Sequence, residues 1–406
     1  MIVRNLSSTA FSDDFGRQMR FITGPRQSGK TTIAKQFLSS TGCEKLYYNW
    51  DNRKIRDRYF SDNHFFSSDI YNVTPVGNKR WICMDEIHKY PKWKNVLKDF
   101  FDSFGDEHGF IVTGSAKLDM MRKSGDSLAG RYFSFRLNPI VLSELLNTRS
   151  AFPNEVKALD FIGQKLDSVR YHEDAIASLL KFSGFPEPLL AANERFFNKW
   201  HSDYFERILR EDLRDMADVE ELENLAKVMS LLPERISSPL STNSIANDVK
   251  CAFATAANYI KALELGYLIF RISPYNRKIA RAIKKETKAY FYDWTRIPDP
   301  SKRFENYIAV ELKALVDFWS DSGHGKFSLN FIRDRDGKET DFLILNDDKP
   351  WLMIEAKQSR SEIEYHHSRN REALGGIPFV QVIRQDGIAE KTSGGLFQIS
   401  ASRFFA

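Results

Sequence analysis

The sequence predicts an α/β protein of several domains, and three patterns carry that expectation. Short apolar runs at Met19–Thr23, Trp81–Asp85 and Gly109–Ser115 alternate with helix-forming stretches, the order that builds a parallel sheet. A helical pattern then runs from about Ala151 to Pro233, with Trp200, Tyr204, Phe205, Ile208 and Leu209 on one stripe. Two more apolar strands, Asp341–Leu345 and Trp351–Lys357, follow beyond a Pro-rich break at Ile297-Pro298-Asp299-Pro300. With 406 residues and 42% hydrophobic content the chain can bury a substantial core, and ordinary domain sizes divide it into two to four units.

The first strand, Met19–Thr23, leads into Gly24-Pro25-Arg26-Gln27-Ser28-Gly29-Lys30-Thr31-Thr32, and the residues from Thr32 to Leu38 read as the helix that follows. This run fits G-x-x-x-x-G-K-[ST]. Its glycines let backbone N–H groups wrap phosphates, Lys30 reaches the β and γ oxygens, and the Thr31 hydroxyl ligates Mg²⁺. The helix N-terminus adds its dipole to the attraction for anions. The second apolar run ends in Asp85-Glu86, where Asp85 holds Mg²⁺ through its water shell and Glu86 orients and polarises the attacking water. Together the two motifs predict a site for Mg·ATP. Trp93, Val96, Leu97, Phe100, Phe101 and Phe104 are spaced as the buried face of a helix that stops at Gly105. The third run, Gly109–Ser115, ends in small hydroxyl residues, and Ser115 either senses the γ-phosphate or closes a plain strand-end turn.

The composition is that of a globular protein with a formal charge of +5, which permits nucleic-acid contact without requiring it. The three cysteines, Cys43, Cys83 and Cys251, are scattered, so neither a disulfide framework nor a Cys-rich zinc site is expected, and a reducing cytoplasm is favoured. The first residues lack a signal-peptide apolar region and no apolar stretch approaches the length of a membrane span, so a soluble protein is expected.

The helical stretch, taken as residues 151–236, reads as a lid; Arg207 and Arg210 sit in a run of alternating charge of the kind usually solvated. Residues 237–297 read as a winged-helix unit: one helix around Ile245, Ala246 and Val249, a second around Ala256, Tyr259, Ile260 and Leu263, then the strand Tyr267–Phe270. The second helix offers few side chains for base edges, chiefly Asn258 and Lys261, so a lid or connector is the favoured reading over DNA binding. Arg277, Lys278, Arg281, Lys284, Lys285 and Lys288 form a basic segment that either grips phosphates or protects a solvated hairpin edge. Residues 298–406 open with a helix from Phe304 to Leu312 and continue with the two apolar strands; alternation puts Glu355 and Lys357 on one face of the second.

The stretches GPRQSGKTT, ICMDEIHKYPKW, FIVTGSAKL, SLAGRYFSFRLNPIVLSEL, SGFPEPLL, YLIFRISPY, KAYFYDW, FENYIAVEL, KETDFLIL and WLMIEAKQS give the chain a resemblance to a family over nearly its whole length. It resembles the bacterial and archaeal AAA+ P-loop ATPases that carry a C-terminal domain of unknown function with a restriction-nuclease-like core. The resemblance implies an AAA+ parallel-sheet core over residues 1–150 and a nuclease-like domain at the C-terminus. It implies that Arg131, just before the strand after the sensor strand, is an arginine finger acting in trans across an oligomer; a structural salt bridge is the alternative. It also implies that Pro186 of Gly184-Phe185-Pro186 contacts the nucleotide base, where the bland reading is a turn. The last two strands resemble the Asp…Glu-x-Lys core of restriction-type nucleases. Asp341 and Glu355 would then hold Mg²⁺, Lys357 would position water and Glu305 would give outer support, with a cross-strand salt bridge as the alternative.

The expected function is a Mg-dependent ATPase that regulates or powers a nuclease-like, DNA-acting module. The alternatives are an ATP-gated nuclease and a signalling or scaffold ATPase whose C-terminal domain binds a protein partner. DNA, a protein partner and further copies of the chain are the candidate partners; a membrane is not.

Overall fold

The computed structural model describes residues 2–77, 79–114, 128–148, 157–167, 170–213, 219–275, 286–334 and 336–406. They divide into two compact units, Arg4–Leu137 and Asn138–Ala406 with the first three residues.

In the first unit five strands, β1 (Met19–Thr23), β2 (Tyr47–Asn49), β3 (Arg80–Asp85), β4 (His108–Thr113) and β5 (Tyr132–Arg136), form a wholly parallel sheet in the order β2-β3-β4-β1-β5. A sheet covered on both faces needs strands apolar throughout, and β1 and β4 are buried at every position. Helices α1 (Asn5–Ala10), α2 (Lys30–Ser40), α3 (Arg53–Ser61), α4 (Ser67–Tyr71) and α5 (Trp93–Phe104) accompany it. The aromatic face expected for α5 is core: Trp93, Val96, Leu97, Phe100 and Phe101 are buried, and Phe100 meets Phe66 edge-on at 4.7 Å between centroids. One charge lies in β1. Arg20 is 1% exposed, and its guanidinium donates to the carbonyls of Ala10, Ser12, Phe15, Gly16 and Gln18, tying the segment before the strand to the sheet. Burial lowers its pKa to about 10.

Among the described residues the second unit begins with six helices, α6 (Leu142–Leu145), α7 (Ala158–Asp167), α8 (Glu173–Phe182), α9 (Pro186–Ala191), α10 (Glu194–Ile208) and α11 (Val219–Arg235). Trp200, Tyr204 and Ile208 form the expected buried stripe of α10. Helices α12 (Thr242–Val249) and α13 (Phe253–Leu265) then lead to the antiparallel pair β6 (Ile269–Pro274) and β7 (Lys288–Phe291). Next come α14 (Pro300–Asp321), β8 (Phe327–Arg333), β9 (Glu339–Asn346), β10 (Lys349–Lys357), α15 (Tyr365–Ala373), β11 (Phe379–Ile383), β12 (Ala389–Thr392), β13 (Leu396–Ser400) and α16 (Ala401–Phe404).

The C-terminal mixed sheet has eight strands in the order β12-β13-β11-β10-β9-β8-β6-β7. Strands β8, β9 and β10 are antiparallel neighbours, whereas β11 runs parallel to both β10 and β13. Asp347 and Asp348 join β9 to β10 with φ of +48° and +63°, as a two-residue hairpin that follows the strand twist requires. The strand expected at Tyr267–Phe270 begins at Ile269 and extends to Pro274, where Ser273 and Pro274 pair with Asn330 and Phe331 of β8. The hairpin read with the winged helix thus joins the sheet that follows Pro298.

Helix α14 is longer than the expected stretch from Phe304 to Leu312 because the Asp299 side chain accepts from Lys302 N and Pro300 occupies the first turn. Its Asn306 binds both backbone groups of Phe291 at 2.7–2.8 Å and so completes the outer edge of β7. Lys288 departs from the solvated hairpin edge predicted for it. It is 1% exposed, because a ring of carboxylates receives its ammonium.

Candidate functional site

The glycine loop between β1 and α2 is built by close approach. Gly24 has φ +137°, and a Cβ there would lie 2.3 Å from the Leu137 carbonyl, so only glycine fits. Gln27 and Gly29 also have positive φ, at +61° and +98°, and α2 starts at Lys30 with Gly29 as its cap. Pro25 and Ser28 are buried, Arg26 and Gln27 half-buried, and Thr32 exposed. Lys30 is turned into the loop, where its ammonium donates to the carbonyls of Gly24 at 2.9 Å and Pro25 at 2.5 Å. From beneath, Arg4 donates to Ser28 O at 2.7 Å.

Parallel register sets Asn49 and Thr113 beside Asp85. The Asp85 carboxylate is 2% exposed and both its oxygens are engaged by hydroxyls: Thr31 Oγ1 at 3.0 Å and Tyr47 OH on Oδ2, Thr113 Oγ1 on Oδ1. Burial, together with the hydrogen bond to Asp85, pushes the Tyr47 hydroxyl pKa well up. Glu86 takes a left-handed conformation with φ +56°, unusual for a residue with a long side chain, and its N–H donates to Thr113 O at 3.0 Å. Its carboxylate lies 3.5 Å from His88 Nε2 and 3.9 Å from Lys89 Nζ, while Lys89 also pairs with Asp51 at 2.7 Å.

Lys30, Thr31, Asp85 and Glu86 therefore converge at the C-terminal edge of the sheet, as the motifs require. Arg131 forms a two-pronged ion pair with Asp102 of α5, at 2.8 and 3.1 Å. Ser115 lies outside the described residues, as do Arg277, Lys278, Arg281, Lys284 and Lys285. Pro186 belongs to the second unit and starts α9. Packing accounts for the glycine before it: Ile140 N donates to Gly184 O at 2.7 Å, and a Cβ on Gly184 would meet Ile140 O at 2.6 Å and the Trp294 ring at 2.8 Å.

The second constellation is in the C-terminal sheet. Glu305 of α14, Asp341 of β9, and Glu355 and Lys357 of β10 are brought together, with Lys357 Nζ 2.7 Å from Glu355 Oε1. The other Glu355 oxygen lies 2.6 Å from His367 Nε2, whose Nδ1 is 2.9 Å from Thr340 Oγ1. Asp341 Oδ2 accepts from Ala356 N at 3.0 Å. Tyr290 OH donates to Glu305 Oε1 at 2.8 Å, and Lys288 Nζ lies 2.7 Å from Glu339, 3.9 Å from Glu305 and 4.0 Å from Asp341.

Burial raises the Asp341 pKa; burial and the neighbouring Asp341 push Glu305 up to about 8. Glu355 is also penalised by burial, yet His367 and Lys357 outweigh that and hold it below the ordinary value. Beside Glu305 and Lys357 opens a cavity of about 430 Å³, lined also by Ser301, Lys302, Ser359 and Glu362, among others. Among the described residues no group of three or more His, Cys, Asp or Glu side chains is arranged to hold a metal ion. No helix among the described residues is long and apolar enough to cross a membrane.

Tyr47, Thr113, Lys89 and His367 were not singled out from the sequence, and Lys288 was read only as part of a basic segment. Glu339 was within reach of it, since alternation sets Glu339 and Asp341 on one face of β9. Thr113 was also within reach, as the last hydroxyl of the strand paired with β3.

Residues 16–146 match the family described as an AAA domain, and residues 173–295 match a domain of unknown function, DUF8612. The uncharacterized protein MJ1637 of Methanocaldococcus jannaschii is 27% identical over 293 residues, covering 68% of this chain and 60% of that protein. MJ1544 of the same organism is 22% identical over 351 residues, 83% of this chain and 74% of its own. Rv2008c of Mycobacterium tuberculosis is 21% identical over 272 residues, which is 67% of this chain but only 53% of the relative.

Among solved structures, the Aeropyrum pernix ORC1 protein in complex with DNA aligns with 11% identity and a TM-score of 0.32, over 75% of this chain and 91% of that one. The Bacillus subtilis DNA clamp loader delta protein aligns with 8% identity and a TM-score of 0.26, over 75% and 95%. The stretch that matches the AAA-domain family, residues 16–146, is the one that holds the P-loop and the Asp–Glu strand at one edge of the parallel sheet.

Proposed function

We propose that the first unit binds Mg·ATP and hydrolyses it, and that this turnover regulates or powers the C-terminal module. The observation that carries the reading is the convergence on Asp85: the Thr31 hydroxyl reaches it at 3.0 Å from the loop while Lys30 is held inside the same loop. The residues fit the nucleotide. Ser28 Oγ is buried in the loop without a hydrogen-bond partner, and the start of α2 presents N–H groups and a dipole to an anion. Bound Mg²⁺ supplies charge neutralisation for the β and γ phosphates.

Lys30 exchanges the carbonyls of Gly24 and Pro25 for phosphate oxygens. Thr31 and Asp85 serve the ion. Glu86, set beside Asp85 by its left-handed backbone, orients and polarises the attacking water. Ser115 is proposed as the γ-phosphate sensor, Pro186 as the contact to the base, and Arg131 as a finger in trans that leaves Asp102 when a second copy docks. ATP turnover by the chain and its Glu86→Gln variant, with and without DNA, tests the reading; normal hydrolysis in the variant removes the assigned water-activating residue.

For the C-terminal module we propose a nuclease-like body that acts on or binds DNA. The succession of α14, the antiparallel β8-β9-β10, α15 and the parallel β11 supports it, as does the grouping of Asp341, Glu355 and Lys357 beside an open cavity. Helices α12 and α13 followed by the β6–β7 hairpin support a winged-helix reading of the middle. One observation favours a binding module that does not cleave: the carboxylates proposed for Mg²⁺ already face ammonium groups, so the residues as arranged do not fit a resident metal. We place the protein in the cytoplasm, with DNA, a protein partner or further copies of itself as partners.

A further inference from the structure

The cluster behind the C-terminal cavity has a member that the nuclease-like reading does not use. Lys288 reaches it from β7, the outermost strand of the sheet. Its backbone is fixed on both sides, by pairing with Ile272 of β6 and by a bridge to Pro239. The side chain is 1% exposed and its Nζ faces Glu339, Glu305 and Asp341 at 2.7, 3.9 and 4.0 Å.

Three half-buried carboxyl groups that converge repel one another and lose part of their hydration unless a cation stands among them. The ammonium donates to Glu339 at 2.7 Å, while Glu305 and Asp341, at 3.9 and 4.0 Å, face its charge without a hydrogen bond. Two residues further along the same face of β7, Tyr290 donates to Glu305 at 2.8 Å, so one short strand supplies both the charge and a hydrogen bond to the cluster. Asp341 is the residue that a nuclease-like site would offer to a divalent ion, and Glu305 its support. Glu355, the other proposed ligand, is already bracketed by Lys357 and His367 at 2.7 and 2.6 Å.

We propose that Lys288 is the resident cation of the Glu305–Glu339–Asp341 cluster, and that its ammonium closes this seat to a divalent ion. The ligand class rests on the nuclease-like reading of Asp341; the displacement by Lys288 rests on the contacts alone.

The test is Mn²⁺ binding by electron paramagnetic resonance, on the full chain without nucleotide and in an Asp85→Asn background that removes the ion site at the P-loop. With Lys288 in place no binding that depends on Asp341 is expected. Adding Lys288→Met should create one Mn²⁺ site per chain, at least tenfold tighter than before, and adding Asp341→Asn should abolish it. Should the Lys288→Met chain fail to fold in chelator, recovery of cooperative unfolding on adding Mn²⁺ becomes the readout. The proposal is overturned by Asp341-dependent binding of equal strength with Lys288 present, by a folded Lys288→Met chain that gains no site, or by an unfolded one that Mn²⁺ does not recover. DNA cleavage is a separate outcome. Lys357-dependent cleavage by the unaltered chain sustains the nuclease reading while refuting this one, whereas a Mn²⁺ site gained by Lys288→Met in a chain that never cleaves does the reverse.

Discussion

Asp85 and Asp341 are both strand carboxylates, and they are met by opposite kinds of donor. Around Asp85 the donors are hydroxyls, those of Thr31, Tyr47 and Thr113. Around Asp341 and its neighbours they include the ammonium groups of Lys288 and Lys357. Hydroxyls solvate a negative charge without cancelling it, so the first site keeps its attraction for a cation. The second already contains its positive charge, and a metal arriving there must displace it. Similar residue types thus read differently once their donors are known.

The largest effect expected on this contrast is in turnover. Glu86→Gln should retain ATP binding but lower hydrolysis by about 10²–10³-fold, the scale of losing one well-placed transition-state group. Lys30→Ala should instead weaken nucleotide binding itself, which calorimetry separates from phosphate release. Equal loss of affinity in both variants would dissolve the distinction between the cradle and the water-activating residue.

Next in size is the stability of the second site. Lys288→Met leaves buried carboxylates without their cation and should lower the unfolding free energy by about 3–5 kcal/mol in chelator. Asp85→Asn removes a charge whose side-chain donors among the described residues are hydroxyls, and it should cost much less. A Lys288→Met chain as stable as the parent would mean that the cluster is neutralised by protonation instead. Gly24→Ala should cost roughly 1–3 kcal/mol, since its Cβ would press on the Leu137 carbonyl at 2.3 Å. Denaturant titration measures both.

A pH dependence follows from two carboxyls that burial pushes up to about 8: Glu305, with Asp341 beside it, and Glu311 of α14, which accepts from Leu142 N at 2.8 Å. In the unfolded chain each titrates near the ordinary glutamate value, about 4.3. Between that value and about 8 the folded protein binds more protons than the unfolded one, so stability falls as pH rises through this window. The slope is at most about 1.4 kcal/mol per pH unit for each group. Glu311→Gln should flatten the profile above pH 5 or so, as unfolding midpoints between pH 5 and 9 would report. An unchanged slope would assign the dependence elsewhere.

Much of the first unit was legible because its chemistry is local: Gly24 to Thr32 is one loop, and Asp85-Glu86 is the end of one strand. Lys288 was misread because its partners Glu305, Glu339 and Asp341 come from a helix and one distant strand, and the run of basic residues around it looked like a solvated edge. Tyr47 reaches Asp85 through strand pairing that no spacing announces. Asn306 was hidden inside an otherwise apolar helix stripe, although a polar residue in such a stripe is itself a sign of an edge that needs hydrogen bonds.

The smallest effect on stability, and the most diagnostic for assembly, concerns Arg131. Its ion pair with Asp102 is largely solvated, with side chains 26% and 45% exposed, so breaking it should hardly move the unfolding midpoint. Its role in turnover is another matter. As a finger in trans, Arg131 must trade Asp102 for the phosphates of a neighbouring copy, and the pair then acts as a competitor to the active arrangement. Asp102→Ala should therefore raise turnover per chain at low protein concentration, while Arg131→Ala should lower it at every concentration with little change in ATP affinity. Turnover that is independent of concentration, and indifferent to Asp102, would leave Arg131 as a plain tie between α5 and β5 and the comparison between the two sites would lose its oligomeric half.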